Sequence, residues 1–119
     1  MTFQSNSYER AIVSVLLAGL ALASQSARAN DARTLGEAAY EVQHYAAALA
    51  AFERAGSAGD LRAQEMAGLM HLYGSTLYGA QVPRDAKRAE DWLARAALQG
   101  SEVARCVLGQ RWARSRQAQ

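Results

Sequence analysis

GDLRAQEMAG at residues 59–68 and GSEVARCVLG at residues 100–109 are one pattern written twice. Each opens on glycine, then a capping residue (Asp60, Ser101), and reaches alanine four positions after the glycine (Ala63, Ala104). Each closes on an apolar residue and glycine, Ala67-Gly68 and Leu108-Gly109. The approach to each opening glycine also matches. Ala48, Phe52 and Ala55 stand before Gly59 as Ala89, Leu93 and Ala96 stand before Gly100. A self-match at one fixed offset is the signature of a repeat architecture.

Working outward, the local signals are helical. Half of the 119 residues are apolar but only 8% are aromatic. Alanine makes up much of the difference, which favours helix and close helix approach. Proline occurs once, as Pro83, as expected of a chain filled with helices that proline would break. Leu35, Ala38, Ala39, Val42 and Tyr45 recur at helical spacing, followed by Ala48, Leu49, Phe52 and Ala55. The repeat logic places a break near Gln43-His44, so that two short helices can pack antiparallel. Gly56 to Gly59 supply a left-handed cap. Asp60 is the expected N-cap of the next helix. That helix carries a stripe of Ala63, Ala67, Met70 and Gly74, widened by Met66, Leu69 and Tyr73. A helix apolar over more than one face packs against two neighbours.

Residues 74–83 read as a loop with two glycines, and Tyr78 lies in its middle. Tyr78 is either an exposed contact or a lid folded back over the helix pair. Asp85 then caps a helix with Ala86, Ala89, Leu93, Ala96 and Ala97 inward, Trp92 beside them and an Asp91–Arg95 pair outside. Gly100 ends it and Ser101 caps the last helix, which continues through Val103, Val107, Leu108 and Trp112. Arg105, Arg111, Arg114 and Arg116 make this end basic.

The N-terminal part differs in kind. Ala11 to Ala23 is thirteen residues without a charge, preceded by Arg10 and followed by Ala27-Arg28-Ala29. A spanning helix needs about 20 such residues, whereas this length suits the apolar region of an export signal cut after Ala29. The competing readings are a buried N-terminal helix and an uncleaved anchor. The expected division is a signal peptide at 1–29 and a repeat domain at 30–117. The net charge of +2 is too small to argue for nucleic acid. Twelve arginines against one lysine, with the alanine excess, suggest a GC-rich bacterial source.

Val82-Pro83-Arg84-Asp85, then Ala89, Trp92, Ala96, Ala97, Gly100, Ala104 and Leu108-Gly109 resemble the Sel-one-like repeat, a relative of the tetratricopeptide repeat. The match is strongest over 82–109. Over 36–81 it departs from the family pattern: Ala51 stands for the tryptophan, Gly56 for one of the paired alanines, Ala67 for the leucine and His71 for the tyrosine. Trp112 takes the tyrosine place in the last copy. The resemblance implies an all-α fold, a short α/α solenoid of antiparallel helix pairs: about two repeats plus a C-terminal capping helix. It also implies a protein–protein adaptor, and the cleaved export signal puts it in the periplasm or outside the cell, with no stable membrane insertion expected. The partner is another protein of unstated identity, with self-association as the alternative. The expected contact residues are Met66, Tyr73, Tyr78, Arg111 and Arg114.

No catalytic, cofactor or metal site is expected. His44, His71 and Cys106 are not paired at ligand spacing. His71 stands at a core position and reads as a packed histidine. Cys106, next to Val107 and three residues from Val103, reads as buried. Ser75, Thr76 and His71 lack a nucleophile motif. Cysteine-rich relatives linked to β-lactam chemistry have a disulfide framework, and one cysteine cannot supply it.

Overall fold

The computed structural model describes residues 6–119. It is all-helical, with no strand among the described residues. The helices are α1 (Asn6–Glu41), α2 (Tyr45–Ser57), α3 (Leu61–Tyr73), the single turn α4 (Ser75–Tyr78), α5 (Ala86–Leu98) and α6 (Glu102–Gln117). They pack in series: α1 on α2, α2 on α3, α3 on α5, α5 on α6.

The caps lie where the side-chain chemistry puts them. Asp60 accepts from the Ala63 N–H at 2.8 Å, Asp85 from Arg88 at 3.0 Å and Ser101 from Ala104 at 3.0 Å. Each satisfies a backbone donor left over at a helix start, worth about 1 kcal/mol. The two matched turns fold alike. Gly59 (φ 97°) and Gly100 (φ 101°) are both left-handed. Gly59 N–H reaches Gly56 O and Asp60 N–H reaches Ala55 O, at 3.0 and 3.1 Å; Gly100 N–H reaches Ala97 O and Ser101 N–H reaches Ala96 O, both at 3.0 Å.

The break between α1 and α2 falls at Val42–His44, with no glycine or proline to make it. Gln43 takes φ 63°, a left-handed conformation costing an L-residue roughly 1–2 kcal/mol. Its N–H bonds Tyr40 O and the His44 N–H bonds Ala39 O, which closes the helix end.

One buried face differs from the sequence expectation. Leu35 and Val42 are 60% and 62% exposed. The inner face of α1 is Ala29, Ala32, Gly36, Ala39 and Tyr40 instead. Phe52 of α2 is the reason. A Cβ on Gly36 would lie 2.8 Å from its ring, so the side of α1 with the smallest residue turns inward. Ala86 is exposed as well, while Ala89, Leu93 and Ala96 are fully buried as expected. The Asp91–Arg95 pair does not form. Asp91 pairs with Lys87 at 3.3 Å, and the Arg95 guanidinium lies 4.8 Å from the Trp92 ring centre. Cys106, expected inside, is exposed. On α6 the buried residues are Ala104 and Leu108, with Val107 half-buried and Val103 and Trp112 outside.

The core has two parts. Phe52, Met70, Tyr78 and Val82 fill the space among α1, α2 and α3, with four buried alanines, Ala48, Ala55, Ala63 and Ala67, allowing close approach around them. Leu93, Ala96, Ala104 and Leu108 form the smaller second part.

Along α1, residues 7–28 are exposed throughout and Ala29 is the first buried residue among those described. The helix itself runs unbroken past Ala29. Its apolar part is long enough to cross a membrane and is compatible with either a signal sequence or an anchor.

Candidate interaction groove

Tyr73, Arg111 and Arg114, far apart in sequence, line one groove of about 270 Å³, with Leu72, Thr76, Arg84, Val107 and Gln110. The end of α3 supplies Leu72 and Tyr73. One turn of α6 and a little more supplies Val107, Gln110, Arg111 and Arg114, which share a helix side by their spacing of three, one and three. Arg84 arrives from the segment before α5. That segment is held down by the Asp85 N–H on His71 O at 2.9 Å. It also lies so close to Gly74 that any Cβ there would collide with the Arg84 backbone. Gly74 is left-handed as well, at φ 51°. These two constraints fix where Arg84 starts.

The groove is electropositive. Three arginines line it, and among the described residues no carboxylate does. Arg111 donates to Glu90 of α5 at 3.0 Å, an ion pair that fixes its guanidinium and offsets its charge, so Arg84 and Arg114 carry most of the positive field. The Arg111 Nε is buried without a hydrogen-bond partner among the described residues. Arg84 and Arg114 are exposed and free to face a ligand. Tyr73, 48% exposed, adds an apolar wall with a polar tip.

The other two expected contact residues lie elsewhere. Met66 is half-buried and lines a second depression with Glu37, Tyr40, Glu41, Phe52 and Arg62. It is the counterpart of Val107 one repeat interval earlier. Tyr78 is not displayed: it is 9% exposed and forms the lid. Its ring meets Tyr45 edge-on at 5.0 Å and Tyr40 at 5.9 Å, and the Tyr40 and Tyr78 hydroxyls are 3.3 Å apart. Burial, with the Tyr40 hydroxyl beside it, pushes the Tyr78 phenol well above its ordinary range.

His71 is packed, as its position suggests. Its Nε2 lies 2.6 Å from Glu53 Oε1, an oxygen that Arg88 also approaches at 3.5 Å. Its Nδ1 is buried and unpartnered among the described residues. Among these residues no three metal-ligating side chains come together.

Comparison with protein-family models, with characterised proteins and with solved structures finds no match. Sequence reasoning missed Arg84, Thr76 and Gln110. Arg84 occupies the unrestricted place between Pro83 and Asp85, where the pattern carries no signal. Thr76 and Gln110 lie in a loop-like segment and on a helix flank that only tertiary packing brings together.

Proposed function

We propose that the chain is an exported bacterial Sel-one-like repeat protein, a short α/α solenoid that acts as a protein–protein adaptor in the cell envelope. Its groove at Tyr73, Arg84, Arg111 and Arg114 takes an acidic segment of the partner protein. The observation that carries this reading is the convergence of three arginines and a tyrosine, from three separate segments, in a groove whose walls lack a carboxylate. Such a surface attracts carboxylates, steers their approach and loses affinity with salt. Arginine suits the task because its planar fork grips a carboxylate with two hydrogen bonds.

Export is supported by the exposed apolar half of α1 and by its boundary. Among the described residues the first buried one is Ala29, the last residue of the proposed signal. Cleavage there removes Ala29 and leaves the rest of the inner face, Ala32, Gly36, Ala39 and Tyr40, with the folded part.

The test is crosslinked capture from the cell envelope with tagged protein, comparing wild type with the pair Arg84→Glu and Arg114→Glu. Both side chains are exposed, so the fold should tolerate the change. A prey retained by wild type and by Met66→Ala but lost from the charge-reversed protein supports the groove. A prey indifferent to the reversal removes the groove from the reading. Mass spectrometry of the bait settles the leader: a start at Asn30 supports export, and retention of Met1 makes α1 an anchor.

A further inference from the structure

Among the helical glycines, Gly36, Gly56 and Gly68 are each met by a large side chain of another helix, whereas Gly19 and Gly109 are not. At Gly36 of α1 a Cβ would lie 2.8 Å from the Phe52 ring of α2. At Gly68 of α3 it would lie 2.7 Å from Leu93 Cγ of α5. In both places a large side chain of the next helix is seated against bare backbone. Gly109 of α6, the repeat partner of Gly68, has nothing within 4 Å. A glycine in a helix interior costs about 1 kcal/mol against alanine, and at Gly109 nothing among the described residues packs close enough to offset that.

The surrounding stripe repeats the point. On α3 the line through Gln64, Gly68 and His71 is buried under α5. On α6 the same positions are Arg105, Gly109 and Trp112, continued by Arg116, and all are exposed, Trp112 by 57%. At the opposite end of the molecule, the outer face of α1 carries an exposed line of identical spacing: Asp31, Leu35, Ala38 and Val42, with Glu41 beside it. Leu35 and Val42 are among the large apolar residues that the fold leaves outside.

We infer that α6 of one copy receives α1 of a second copy, so that the chain assembles head to tail. With the two helices side by side in the same direction and the two lines in register, Asp31 meets Arg105, Leu35 enters the space at Gly109, Ala38 faces Trp112 and Val42 lies along the aliphatic stem of Arg116. An acidic residue opposes a basic one at the first level, and a large residue opposes a small one at the next two. Pairing α6 with another α6 would instead oppose arginine to arginine, which costs free energy. The contact is heterologous: each copy uses both ends, and growth continues as an open array or closes as a ring. The acidic groove ligand of the preceding subsection binds another side of α6, so either reading stands without the other.

The test is sedimentation velocity on the full chain in a mild detergent, with Leu35→Glu and Gly109→Gln. Leu35 is exposed and Gly109 is surrounded by open space, so both variants keep the fold. Wild type should show species growing with concentration. Each variant alone should weaken association by about tenfold or more, the scale of losing a well-seated contact. An equimolar mixture of the two retains one intact junction and should stop at a heterodimer. Wild type that stays monomeric overturns the proposal. Association that survives both changes assigns it to the apolar half of α1 and also overturns it. Association lost with Gly109→Gln but untouched by Leu35→Glu points to α6 pairing with itself or with a different protein, and equally overturns it.

Discussion

Gly68 and Gly109 hold the same place in two copies of one pattern, yet they live in different surroundings. Gly68 is buried under Leu93, while Gly109 faces open space. Around Gly68, Gln64 donates to Gly56 O at 3.0 Å and accepts from Gln99 at 2.8 Å. Around Gly109, the corresponding Arg105 turns back to Glu102 of its own helix at 2.7 Å. The local code is the same in both places. Only the presence of a next helix separates a core from a surface.

That contrast can be broken or sharpened experimentally. The largest effect is expected at Phe52→Ala, which empties the space against Gly36 and should cost about 3–5 kcal/mol in denaturant unfolding. Trp112→Ala, equally aromatic but outside, should stay within about 0.5 kcal/mol for the isolated chain. Comparable losses at both would mean that Trp112 is already covered. Next comes Gly68→Ala. Its Cβ must displace Leu93, and overpacking of this kind costs about 1–3 kcal/mol. Gly109→Ala should do the opposite and raise stability by roughly 0.5–1 kcal/mol, because helix propensity improves with nothing to push aside. Equal signs at the two glycines would end the comparison.

The smallest effect near neutrality is expected at Tyr78. Its phenol is held neutral by burial and by the Tyr40 hydroxyl, so its folded pKa lies above the unfolded value near 10. The neutral form therefore gives its full stability below pH 10. That stability is lost as pH rises past 10, where the unfolded chain can ionise and the folded one resists. Tyr78→Phe should flatten this alkaline decline in a pH series of unfolding curves, and an unchanged slope would assign it to other groups.

The candidate groove was half legible in the sequence. Arg111 and Arg114 advertise themselves as part of a basic helix end, and Tyr73 as a residue on the flank of an apolar stripe. Their convergence does not show, because it depends on α6 crossing beside the end of α3. Tyr78 left two readings open, display or lid, and packing decided for the lid. A large residue in a glycine-bounded loop suggests display, but Tyr40 and Tyr45 supply a pocket that repays burial. Leu35 and Val42 mislead for a related reason: periodicity identifies which residues are apolar, not which side of a mostly alanine helix a neighbour prefers.

By itself the sequence determined the helices and their ends. Asp60, Asp85 and Ser101 satisfy backbone donors within three residues, and Gly59 and Gly100 allow left-handed turns, so these features depend on local chemistry alone. It also determined that residues 59–68 and 100–109 would fold alike. The tertiary structure decided which face of α1 turns inward, that Tyr78 closes over Tyr40 and Tyr45, and that Arg84 joins Tyr73, Arg111 and Arg114. Those outcomes depend on whether a partner side chain lies across a gap of a few ångströms. Packing is a property of pairs of surfaces, and one helix's sequence specifies only half of each pair.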